Sequence, residues 1–157
     1  NTDFIFGDNN FKNTSNTLFP LEILNNSRGY IVNIGHQASE CYNSELYDAC
    51  LVMVRKLLET LIIECFERYS VEEKIKGKDN HYYYLNDLIN KFLIEDKWSI
   101  NRNTSKSLPK IKSLGDLSAH NRRFSAKRGD IDNIRIDLRI IVEDIIHLID
   151  YPNWNKI

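Results

Sequence analysis

The sequence predicts an all-α fold, a four- to five-helix up-and-down bundle, on three observations. Apolar residues recur at steps of three and four in successive segments. Outside a short stretch near Tyr82–Leu85, no segment alternates apolar and polar residues as a half-buried strand does. The links between periodic segments are mostly short, as antiparallel neighbours require. The chain has 157 residues, 42% hydrophobic and 27% charged, which describes one globular domain able to bury a core without disulfides or a structural metal. No internal repeat is visible.

Residues 1–19 are Asn-rich, and Phe4, Ile5, Phe6 and Phe11 keep no period, so they read as an irregular arm or linker. The bundle is expected over residues 20–151. With Asn25 or Asn26 as its cap, a first helix carries Tyr30, Ile31, Ile34, Ala38 and Cys41 on one face and runs to about Tyr42. After a break at Asn43-Ser44 comes the strongest stripe: Leu46, Ala49, Cys50, Met53, Val54, Leu57, Leu58, Leu61, Ile62, Cys65 and Phe66. An apolar face this wide predicts the central helix of the core. Residues 71–84 read as a loop with room for a short hairpin, with Gly77 and Asp79-Asn80 as turn signals.

Leu85, Leu88, Ile89, Phe92 and Leu93 make a short third helix. Residues 98–106 form a polar connection, after which Ser107 caps a fourth helix running to His120. Pro109 lies in its first turn, and Leu108, Ile111, Leu114 and Leu117 share a side. Asp130 caps the last helix, in which Ile131, Ile134, Leu138, Ile141, Val142, Ile145, Leu148 and Ile149 hold the spacing to about Asp150. Pro152 ends it, and residues 152–157 are a tail. Only four residues are Ala, so propensity is weak and packing must hold these helices.

Cys41, Cys50 and Cys65 are an odd, widely spaced set with no CxxC pair, which favours a reducing compartment, the cytoplasm. Apolar runs such as Leu51-Val52-Met53-Val54 fall far short of the ~20 residues that span a bilayer. The chain opens on Asn1 and its one methionine is Met53, so it is expected to be a piece of a longer polypeptide, with a fused or partner domain outside it.

No Gly-rich phosphate loop, HExxH, GxSxG or paired Cys/His zinc spacing is present, and no metal or cofactor is expected. His36, His81 and His147 stand in unrelated contexts and read as surface or helix-flank residues. The informative segment is Gly115-Asp116-Leu117-Ser118-Ala119-His120-Asn121-Arg122-Arg123. The small residues Ser118 and Ala119 let another backbone approach. Imidazole, with a reference pKa of ~6.5, can take or give a proton near neutrality, and a guanidinium can stabilise a phosphorane oxyanion. His120 is therefore the candidate catalytic residue, and Arg122, Arg123 and Lys127 are candidates for nucleic-acid binding. The plainer reading is that His120 favours the dipole at a helix C-terminus and that the arginines are solvated.

Arg55 and Glu59, four apart on the central helix, are read either as an ion pair at the core rim or as a partly buried pair orienting His120. Tyr82-Tyr83-Tyr84 and Trp98 read as stackers of unpaired bases or as caps on the core.

Tyr47-Asp48-Ala49-Cys50 through Arg55-Lys56-Leu57-Leu58-Glu59, paired with Leu114-Gly115-Asp116-Leu117-Ser118-Ala119-His120-Asn121, resembles the HEPN-like helical domains. It is most similar to a prokaryotic branch catalogued as a domain of unknown function. The resemblance covers roughly residues 20–150. It implies a four- or five-helix bundle, commonly homodimeric, and in many members a metal-independent ribonuclease of toxin–antitoxin, phage-defence or RNA-processing systems. The family's motif is an Arg, often followed by a polar residue, then a His. Asp116 and His120 match the polar and histidine positions, while the Arg position falls on Gly115.

Two functions follow as expectations. In the first, the chain is a HEPN-like module that dimerises and binds RNA or another polyanion, with Arg55, Glu59 and Asn121 in a structural polar cluster between helices. In the second, it is a metal-independent ribonuclease in which His120 and Asp116 are catalytic. Arg102 to Arg128 hold eight Lys or Arg against Asp116 alone, so this stretch carries +7 and the remainder −8. The near-neutral total of −1 therefore does not exclude a polyanionic partner at that end of the bundle.

Overall fold

The architecture follows from one long helix around which the others pack. The structure, a computed structural model, describes residues 17–154. Among them are six α-helices: α1 (Gly29–Asn43), α2 (Tyr47–Arg68), α3 (Leu85–Ile94), α4 (Arg102–His120), α5 (Arg128–Asp132) and α6 (Arg135–Ile149). α2 packs against α1, α3, α4 and α6. Its 22 residues span about 33 Å. Ten of them are buried, including Cys50, Leu51, Val54, Leu57, Leu58, Leu61, Ile62, Cys65 and Phe66. Burial holds the thiols of Cys50 and Cys65 up at about 12.

The expected start of α1 is corrected. Leu21–Leu24 form a separate 3-10 turn that ends at Asn25, and the Ser27 hydroxyl closes it by donating to Leu24 O at 2.6 Å. Arg28, extended, then leads into α1 without a side-chain cap. Gly35 of α1 leaves the space that Leu24 fills. Leu18 and Phe19, read as the end of an arm, are buried in the core, and the remainder of that arm, residues 1–16, lies outside the described residues.

α4 begins five residues before the expected cap, at Arg102, with the Asn101 side chain accepting from Asn103 N at 2.7 Å. The polar segment is helical because its buried polar group is satisfied: Thr104, 1% exposed, donates to Asp144 Oδ2 of α6 at 2.6 Å. Pro109 therefore lies inside the helix, on an exposed face where the carbonyl it leaves unpaired can be solvated.

Asp130 does not cap the last long helix. It accepts from Lys127 N at 2.8 Å and closes the short α5, after which the chain turns through Asn133 and Ile134. The spacing of Ile131 and Ile134 suits that turn as well as a continuous helix, with Ile134 N donating to Ile131 O at 2.9 Å. α6 ends where Asp150 adopts a left-handed φ of 52°, two residues before Pro152. Its last carbonyls are satisfied by α2: Arg68 Nε donates to Ile149 O and the Tyr69 hydroxyl to Leu148 O, each at 2.9 Å.

The connection between α2 and α3 makes a single antiparallel bridge, Lys76 to Tyr82, with no strand among the described residues. Trp98 belongs to the core: it is edge-on to Phe66 at 4.9 Å between ring centroids and donates to Phe92 O at 3.1 Å. Tyr82 and Tyr83 pack against that core, while Tyr84 is exposed.

Candidate functional site

α4 presents Thr104, Ser107, Leu108, Ile111 and Gly115 to the interior. At Gly115, α4 packs closely against α2. A Cβ added there would lie 3.3 Å from Arg55 Cβ, 3.4 Å from Leu51 O and 3.6 Å from Arg55 Cδ. The stem of Arg55 thus lies across the glycine. The close approach expected at Ser118 and Ala119 is made by Gly115 instead, because the helical repeat turns Gly115 inward and leaves Ser118 half-buried and Ala119 exposed.

Asp116 gathers two cations. Arg55 Nε donates to its Oδ1 at 3.0 Å, and Lys112, one turn earlier on α4, is ion-paired to its other oxygen. Arg55 therefore reaches across to α4 rather than along α2 to Glu59. Glu59 is half-buried and is not joined to Arg55 or to His120. Asn121 makes no hydrogen bond to Arg55, Asp116 or Lys112 among the described residues. The polar contact between α2 and α4 thus consists of Arg55, Asp116 and Lys112.

α4 stops at His120, which is exposed. Asn121 N donates to Leu117 O at 3.0 Å, and its side chain accepts from Arg123 N at 2.9 Å. This local turn projects Arg122 and Arg123 into solvent. Farther on, Ala126 N donates to Asp48 Oδ1 in the first turn of α2 at 3.0 Å, so the basic loop is pinned at both ends.

Asp116, His120, Asn121, Arg122 and Arg123 then line a single open concavity of about 710 Å³, completed by Ser113 and Leu117. Four of these are neighbours in sequence, and Asp116 joins them one helical turn below His120. Lys127, exposed, lies outside the lining. Lys112 and Asp48 shape the site without having been singled out for it, and Gly115, noted as the position of the motif Arg, shapes it as a packing residue. Only the Lys112–Asp116 spacing of four signals its pairing in the sequence.

Chemically, the concavity combines an exposed imidazole with two exposed guanidinium groups, and its one acidic lining residue is already charge-compensated. Among the described residues, no group of three His, Cys, Asp or Glu is placed to hold a metal ion. None of their helices is long and apolar enough to cross a membrane.

Residues 36–151 match the sequence model of a family described as a domain of unknown function, DUF4145. The match runs from within α1 to Tyr151 and contains the whole concavity. No curated protein and no solved structure matches the chain.

Proposed function

The chain belongs to the domain-of-unknown-function family DUF4145, and we propose that it is a HEPN-like helical module that dimerises and binds RNA at the C-terminal end of α4. The observation that carries this reading is the convergence of His120, Asn121, Arg122 and Arg123 on one open concavity. Its one carboxylate, Asp116, is occupied by Arg55 and Lys112. A phosphodiester entering there meets donors and positive charge and no free acidic group. Leu117, 40% exposed on the wall, is an apolar surface for a second copy of the chain.

Titration of a fluorescent RNA with increasing KCl tests the reading. Removing both guanidinium groups, R122A/R123A, weakens binding at least about tenfold and lowers the slope of log affinity on log salt by about 1.4, two phosphate contacts on a single strand. Binding indifferent to salt and to both substitutions overturns it. Light scattering tests the dimer, which L117D dissociates.

A second reading is a metal-independent ribonuclease, favoured by Asp116 and His120 lining the same concavity. His120 takes the proton of the 2′-hydroxyl as that oxygen attacks the adjacent phosphorus; the P–O5′ bond breaks, the departing 5′-oxygen takes a proton from water, and a 2′,3′-cyclic phosphate and a 5′-hydroxyl end are left. Cleavage in EDTA that disappears in H120A supports this; equal background cleavage by both proteins removes it.

A further inference from the structure

Two features set the position of Arg55 in the α2–α4 contact, and a third leaves its fork open. Its stem is laid across Gly115, where an added Cβ would press on Arg55 Cβ at 3.3 Å and touch Leu51 O at 3.4 Å. Its Nε is tied to Asp116 Oδ1 at 3.0 Å. Its side chain is 26% exposed, and its two terminal nitrogens have no hydrogen-bond partner among the described residues. A guanidinium held by Nε alone keeps free the fork that takes a phosphate bidentately. Asp116, which holds it, also lines the concavity with His120, Arg122 and Arg123.

We propose that Arg55, which does not itself line the concavity but is held beside it by the lining residue Asp116, binds a phosphate of the RNA strand, with Gly115 making room for it and Asp116 acting as its tether and competing anion. The inference rests on the RNA-binding reading above and adds to it a residue from a different helix. Phosphate entry sets a diester oxygen against the Asp116 carboxylate as partner of the same guanidinium. The tether orients Arg55 and at the same time restrains its affinity. Removing the charge of Asp116 therefore tightens RNA binding, through Arg55.

The test is a set of anisotropy titrations of the full chain with a fluorescent oligouridylate at several KCl concentrations. R55M is expected to weaken binding about tenfold and lower the salt slope by about 0.7, one phosphate contact on a single strand. R55K restores the slope and only part of the affinity, because an ammonium has no fork. D116N tightens binding severalfold, and this gain shrinks by more than half in R55M/D116N. If R55M does not fold by circular dichroism, R55K/D116N takes its place, and the gain is again reduced.

An undiminished D116N gain in the double variant assigns the effect to Lys112 or to bulk charge and overturns the proposal. Binding that falls in R122A/R123A and is unchanged in R55M overturns the role of Arg55 and leaves the reading of the concavity standing. A wild-type protein that does not bind the oligonucleotide overturns both.

Discussion

Asp116 of α4 accepts a hydrogen bond from Arg55 Nε of α2 at 3.0 Å, and this link joins the helix that organises the core to the helix that ends in the candidate site. Both side chains are about a quarter exposed, at 26% and 28%. Solvent therefore screens the pair, and its net value is about 1 kcal/mol or less. Asp116→Ala is expected to lower Tm by ~2–4 °C, which calorimetry would read. His120→Ala leaves Tm unchanged, because the exposed imidazole makes no hydrogen bond among the described residues. A large destabilisation in H120A would assign His120 a structural role.

Gly115→Ala separates packing from function. Alanine gains about 1 kcal/mol of helix propensity over glycine, while its methyl group presses on the Arg55 stem at 3.3 Å. The two effects oppose each other, so the melting temperature changes little. Displacement of Arg55 by a few tenths of an ångström nevertheless weakens RNA binding. Unchanged affinity together with unchanged stability would show that the glycine is not needed to seat Arg55.

Thr104→Val tests why a polar segment is helical. The substitution keeps shape and removes the hydroxyl that donates to Asp144 at 2.6 Å, leaving a carboxylate short of a donor in a part-buried place. A loss of about 1–3 kcal/mol is expected in chemical denaturation. Faster amide exchange confined to the first two turns of α4 would accompany it. Loss of the Asn101 cap in Asn101→Ala costs ~1 kcal/mol at the same end.

The tyrosines predict an alkaline limit to stability. Burial, and after it Glu64, push the phenols of Tyr30 and Tyr151 well above their ordinary range. Tyr30 as a residue is 55% exposed, but its hydroxyl donates to Glu64, a residue 2% exposed. The folded pKa values thus lie above the unfolded ~10, so the stabilisation is complete below pH ~10 and is lost as pH rises through the folded values. In an ultraviolet titration of the eight tyrosines, these two are expected to ionise together with unfolding. Eight phenols titrating reversibly near ~10 with the helical signal intact would contradict this.

Legibility in the sequence varies with how a residue is buried. α2 was readable because its core positions are apolar at nearly every helical step, from Cys50 to Phe66. The start of α4 was not, because Thr104 is buried as a polar residue whose partner, Asp144, lies 40 residues away. The break between α5 and α6 was hidden because Ile131 and Ile134 satisfy both a turn and a helix. Near the site, Arg55 and Glu59 share a helical spacing, yet Arg55 chose the carboxylate of another helix.

Periodicity and adjacency are properties of the chain alone, and they suffice to make the chain helical, to make α2 its apolar axis and to set His120, Asn121, Arg122 and Arg123 side by side. Packing of α4 on α2 is needed to lay the Arg55 stem over Gly115, to bring Asp116 to Arg55 as well as Lys112, and to put Asp116 and His120 on one concavity. These contacts follow from the rotation and register of α4 against α2. Both are set by the whole packed interface, and no local spacing encodes them.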